Sequence, residues 1–196
     1  MDDNNLYKYL VQIPKFMADE ITRFKNINDA KLKLASRLMV KHELIKAGHG
    51  DLLTFWKVSK NGKPFIKEWM PFNISHSGNW VVLSYSEHMN GVDIEKENPL
   101  NCSEILKFFH PKEKEAVLQS NDIIKSFYNI WVKKEAFLKT VGLGIVNNLS
   151  SYNCLEESIF YNGKSFYFYD FPFEDGYAKA LCSDLKNENV VVKKMQ

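Results

Sequence analysis

Residues 127 to 141 read as one long helix that stops at Gly142 and Gly144, and beyond them the pattern becomes strand, turn, strand, turn, strand. The strands are Ile159-Phe160-Tyr161, Ser165 to Phe171 and Tyr177 to Cys182; Asn162-Gly163 and Asp175-Gly176 are the turns between them. A helix feeding a run of strands argues for an α+β fold rather than a doubly wound parallel sheet. The first half has its own elements. The spacing predicts a strand over Leu6 to Ile13, helices over Lys15 to Lys25 and Asp29 to Lys46, and a strand at Phe55-Trp56-Lys57-Val58. Asn73 to Gly78 reads as a polar loop, and Trp80 to Ser86 as a buried strand in a hairpin with Val92 to Glu95. Ser103 to Phe109 and Pro111 to Leu118 read as helices.

With 196 residues, 45% of them hydrophobic, the chain is long enough for one ordinary domain or two small halves sharing a core. The 14% aromatic content excludes disorder. A net charge of +2 argues against a nucleic-acid binder. Arg23 and Arg37 are the only arginines, so lysine must supply most positive charge for any phosphate ligand. Cys102, Cys154 and Cys182 form no C-x-x-C pair and read as reduced thiols. No run approaches the ~18 apolar residues of a membrane span. The opening Met1-Asp2-Asp3-Asn4-Asn5 is unlike a signal peptide, so a cytoplasmic location is expected.

Chemistry concentrates in three segments. In Gly91-Val92-Asp93-Ile94-Glu95, residues two apart share a strand face, so Asp93 and Glu95 lie side by side and repel unless a hard cation such as Mg²⁺ neutralises them. In Trp131 to Lys139, helical spacing puts Trp131, Glu135 and Lys139 in one stripe with Lys134 beside it. Gly62-Lys63-Pro64 followed by Phe72-Asn73-Ile74-Ser75-His76-Ser77-Gly78 offers lysine, hydroxyls, an amide and an imidazole to an anion. Each segment also has a plain structural reading: an acidic strand face, an i, i+4 surface ion pair, a loop bonded to itself. Together they suit metal-assisted transfer at a phosphate.

In order and spacing, these segments resemble the motifs of 4'-phosphopantetheinyl transferases, most closely the surfactin-synthetase-activating type. The resemblance runs from about Arg23 to Ile145 and more weakly through the β-rich tail. It implies a monomer of two similar α/β halves related by a pseudo-twofold axis, with the active site in the cleft between them. Residues 1–90 would form the coenzyme A nucleotide side, and residues 91–196 the magnesium side with the catalytic helix. Coenzyme A and Mg²⁺ (or Mn²⁺) are the implied co-substrate and cofactor. The implied reaction moves the phosphopantetheine arm onto a serine of an apo acyl carrier protein or peptidyl carrier domain.

Residue by residue, Asp93, Glu95 and Glu135 resemble the metal ligands, with Glu135 also the base toward the carrier serine. Lys139 resembles the lysine at the pyrophosphate and is a candidate acid for the leaving group. His76 resembles the residue at the 3'-phosphate. Lys63 and Ser75 match positions lining the nucleotide site, and Lys134 a position close to it. Arg23, Lys25, Lys31 and Lys33 are the basic candidates near the first long helix. Pro99 to Asn121 matches the carrier-docking region, where Leu106, Phe108 and Phe109 could supply apolar contacts. Two competing readings remain: another magnesium-dependent phosphotransferase or phosphohydrolase acting without coenzyme A, and a carrier-binding module without catalysis.

Overall fold

The computed structural model describes residues 6–99, 102–144 and 149–195. Three helices open it: α1 (Leu6–Leu10), α2 (Lys15–Ile21) and α3 (Ile27–Lys46). The strand expected over Leu6 to Ile13 is instead a short helix, because Leu6 and Leu10, one turn apart, are both buried. They join Met17, Ile21, Leu34, Val40 and Leu44 in a core that also takes Leu53, Trp56, Ile66 and Phe72. The Asn26 side chain accepts the Asn28 N–H and caps α3, which begins two residues ahead of the expected Asp29.

Two small antiparallel sheets follow: β1 (Trp56–Val58) with β2 (Pro64–Ile66), and β3 (Phe72–Ser77) with β4 (Trp80–Tyr85). The stretch expected as a polar loop is thus strand β3. It is also the partner of β4, in place of the expected hairpin with Val92 to Glu95. Polar residues look like a loop by composition, but Asn73, Ser75 and Ser77 recur at period two, which is a strand face.

The second half is a four-stranded antiparallel sheet of β5 (Asn90–Lys96), β6 (Ser158–Tyr161), β7 (Lys164–Tyr169) and β8 (Tyr177–Ser183), in the order β5-β8-β7-β6. Helices α4 (Ser103–Leu106), α5 (Pro111–Leu118) and α6 (Ile123–Val141) precede its last three strands. α6 packs on β5 and β8, burying Phe127, Ile130, Val132, Phe137 and Leu138 with Phe109, Ile159 and Phe166. Gly142, at φ 72°, takes the left-handed conformation that closes α6. Of the residues expected to meet a carrier protein, Leu106 and Phe109 are buried in this core, while Phe108 stays exposed. Leu100 and Asn101 of that region, Ile145 at the edge of the motif match, and residues 1–5 lie outside the described residues. No described helix is long and apolar enough to cross a membrane.

Gly91 sets how closely β5 meets α6. A Cβ there would fall 2.3 Å from the Ala136 carbonyl oxygen and 2.5 Å from the Thr140 nitrogen. Both are backbone atoms of a packed helix and cannot swing aside. Gly91→Ala is therefore expected to destabilise the protein by about 2 kcal/mol or more, read as a lower denaturant midpoint. An unchanged midpoint would mean that β5 and α6 are not in this close contact.

Candidate active site

The two halves meet where β3 runs beside the open edge of β5. On one face of β3, Phe72 and Ile74 pack into the N-terminal core. Beyond them, His76 comes within electrostatic reach of Asp29 and Lys33, one turn apart on α3. On the other face, Asn73, Ser75 and Ser77 bond to β5. Asp93 and Glu95 share one face of β5, and α6 brings Glu135 and Lys139 over them. Asp93, Glu95 and Lys139 all act electrostatically on Glu135.

Lys139 is the hub. Its ammonium lies 2.6 Å from Asp93 Oδ1 and also donates to Ser75 Oγ at 3.0 Å and the Val92 carbonyl at 3.3 Å. Those bonds use all three N–H donors of a lysine. Ser75 Oγ in turn donates to Asp93 Oδ1 at 2.7 Å. The Ser77 hydroxyl donates to Glu95 Oε2 at 2.8 Å. Among the described residues, two carboxylate oxygens remain buried without a partner, Asp93 Oδ2 and Glu135 Oε1.

The electrostatics follow from crowding acids in a partly dry cleft. Burial, then repulsion from Asp93 and Glu95, pushes the Glu135 carboxyl up to about 7, against the pull of Lys139. Burial also raises Asp93, opposed by the ammonium and the Ser75 hydroxyl, and raises Glu95, with the Ser77 bond opposing. Partial desolvation lowers His76, and the ammonium groups of Lys139 and Lys33 lower it further. An imidazole between two ammonium groups favours an anion beside it.

The orphaned oxygens test the fit of a divalent cation. Both are hard donors, already desolvated and lacking protons to share, which suits Mg²⁺. Among the described residues, however, no three His, Cys, Asp or Glu side chains converge on one point as they stand. The Lys139 ammonium is the positive charge now held at Asp93.

Other expected site residues fall elsewhere. Lys63 lines the cleft of about 410 Å³ with Pro64, Asn73, Ile74, Glu135 and Lys139. Its ammonium, however, donates to the carbonyls of Asn90 at 3.2 Å and Thr140 at 3.0 Å. Asn61 Nδ2 adds a bond to the Gly142 carbonyl, so this turn of the first half caps the end of α6. Burial lowers the Lys63 ammonium to about 8. Lys134 is not near the nucleotide side. It is 1% exposed, paired with Glu113 Oε2 at 2.7 Å and bonded to the carbonyls of Leu149 and Tyr152. Adjacent helix positions diverge by about 100°, so Lys134 points away from the face that carries Glu135. Arg23 is exposed just after α2. Lys31 sits two positions, about 200°, round α3 from Lys33, and it is Lys33 that acts on His76. The sequence placed Ser77 in a polar anion-facing loop and gave no sign of Glu113; the period-two polar pattern of β3 was the available signal for the bond of Ser77 to Glu95.

Residues 89–182 match the family model described as the 4'-phosphopantetheinyl transferase superfamily, and residues 3–88 match that for the N-terminal region of 4'-phosphopantetheinyl transferase. The 4'-phosphopantetheinyl transferase psf-1 of Bacillus pumilus is 30% identical over 164 aligned positions, covering 78% of this chain and 69% of that protein. The chain belongs to the 4'-phosphopantetheinyl transferase superfamily. The transferase gsp of Aneurinibacillus migulanus is 29% identical over 207 aligned positions, 99% of this chain and 86% of its own. Sfp of Bacillus subtilis (strain 168) is 30% identical over 69% of this chain and 62% of its own. As a phosphopantetheinyl transferase of the surfactin-synthetase-activating type, the chain keeps the two-part α+β organisation, and the matched N-terminal and superfamily regions abut at residues 88 and 89.

Proposed function

We propose that this transferase moves the 4'-phosphopantetheine arm of coenzyme A onto a serine of an apo acyl carrier protein or peptidyl carrier domain, with Mg²⁺ or Mn²⁺, and releases adenosine 3',5'-bisphosphate. The observation that carries the reading is a cleft to which both halves contribute walls, where the Lys139 ammonium is bonded to Asp93 and acts electrostatically on Glu95 and Glu135. One chain supplies both walls, so a monomer is sufficient.

Asp93, Glu95 and Glu135 are the residues to hold the divalent ion, which when bound offsets the negative oxygens of the pyrophosphate and aligns the attacked phosphorus. Lys139, here bonded to Asp93 Oδ1, is the ammonium that would contact the pyrophosphate. Glu135 accepts the proton of the serine hydroxyl, a poor nucleophile unaided. The serine oxygen bonds to the phosphorus as the bond to the nucleotide oxygen breaks, and Lys139 is positioned to give that oxygen a proton. His76, with Lys33 and Lys139 nearby, receives the 3'-phosphate.

Intact-mass spectrometry of an apo acyl carrier protein, incubated with the enzyme, coenzyme A and Mg²⁺, is expected to gain the mass of one phosphopantetheine group. Chelation with EDTA should prevent the gain. No gain across a panel of acyl and peptidyl carriers, together with no rise in melting temperature on adding coenzyme A and Mg²⁺, would point to a phosphotransferase or phosphohydrolase acting without coenzyme A.

A further inference from the structure

Strand β5 is at the edge of its sheet, and an unpaired edge leaves every second N–H without a ladder partner. Here side chains of β3 fill that need. Asn73 Oδ1 accepts from the Val92 N–H at 3.1 Å, Ser75 Oγ from Ile94 at 3.3 Å, and Ser77 Oγ from Lys96 at 3.0 Å. Each step of two on β3 matches a step of two on β5, so the rungs run in parallel register. The serines then use their own protons on the carboxylates of the same strand, Ser75 on Asp93 and Ser77 on Glu95. One hydroxyl thus reads both where β5 lies and where its acid points.

Ser75 shares its acid with Lys139. Glu95 has no ammonium at bonding distance among the described residues; Asp93 repels it, and Lys139 attracts it only from beyond bonding distance. A half-buried glutamate with a negative neighbour gains by swinging into water unless a donor holds it. We propose that Ser77 is a positioning residue for the transferase: its hydroxyl, fixed by the Lys96 N–H, keeps the Glu95 carboxylate in the acidic cleft, where it can serve as a metal ligand. This inference rests on the divalent-cation reading of the cleft. It also makes the metal site depend on both halves, since the ligand comes from one and the residue that aims it from the other.

The measurement is Mn²⁺ binding in the presence of coenzyme A, followed by the electron paramagnetic resonance signal of free Mn²⁺, for the wild type, Ser77→Ala and Ser77→Thr. Loss of a partner that orients a ligand typically weakens metal binding by about 10–100-fold, and Ser77→Ala is expected in that range. Ser77→Thr keeps the hydroxyl on a residue that favours strands and should bind nearly as the wild type does. The Lys96 N–H is exposed enough to find water, so the melting temperature of cation-free Ser77→Ala should move by only a few degrees. Wild-type affinity in Ser77→Ala, or equal weakness in Ser77→Thr, overturns the role of Ser77 alone. A wild-type protein that binds no Mn²⁺ overturns the cation reading itself and the inference with it.

Discussion

Glu135→Gln is expected to cut carrier labelling on the order of 10²-fold or more while the protein remains folded and, near neutral pH, becomes more stable. On the proposed mechanism, the loss follows from removing an acceptor for the serine proton together with a metal donor. The gain follows from removing a charge that the fold accommodates poorly, since Glu135 Oε1 is buried without a partner. The pH dependence gives the sign. The carboxyl titrates at about 7 in the folded state against 4.5 ordinarily. Between those values the folded form holds a proton that the unfolded form has released. Stability from this group is therefore full below about pH 4.5, falls as pH rises toward 7 and stays reduced above. Glutamine does not titrate, so the stability profile of Glu135→Gln should be flatter across that window than that of the wild type. Labelling at the wild-type rate would remove Glu135 from the mechanism; a variant that melts well below the wild type at pH 7.5 would show that the charged form is held by bonds the cleft does not reveal.

The second large effect concerns stability. Lys134→Met should lower it by about 3–5 kcal/mol, because it strands the Glu113 carboxylate in the core. For a chain of this size that corresponds to a melting temperature roughly 6–20 °C lower. Glu113 is fully buried. It accepts from the Cys154 N–H at 2.7 Å and the His110 N–H at 2.9 Å as well as from Lys134. The pair therefore pins the start of α5 and the segment after residue 149 against α6, on the side away from the cleft. Adding Glu113→Gln to Lys134→Met removes the uncompensated charge but keeps an acceptor for the two N–H groups, so it should recover much of the loss. If Lys134→Met melts with the wild type, the buried pair is not formed. If the double variant is no better than the single one, the penalty lies in lost packing rather than stranded charge.

Lys134 also marks a limit of reading by motif. It stands next to Glu135, and adjacency in a motif suggests a shared role. A helix turns about 100° per residue, so neighbours in sequence face different surroundings, and which surroundings is settled by what packs on each side. The same limit applies to α3, where four basic residues precede or enter the helix and only Lys33 is placed to act on His76. The strand β3 shows the reverse case. Its polar residues looked like a loop, yet their period-two spacing was the signature of a face that bonds to β5.

The acids of the cleft were legible because they follow local rules. Alternation on a strand puts Asp93 beside Glu95, and a 3.6-residue turn puts Glu135 beneath Lys139. Those relations need only the backbone of one element, and Gly142 closes α6 by its own conformational freedom. The joining of elements is another matter. That β5 pairs with β8, takes its outer hydrogen bonds from Asn73, Ser75 and Ser77, and lies against α6 at a distance only Gly91 permits depends on contacts between residues far apart in the chain. Such contacts arise from burying the whole apolar surface at once, and short-range spacing carries no record of which distant partner wins that competition.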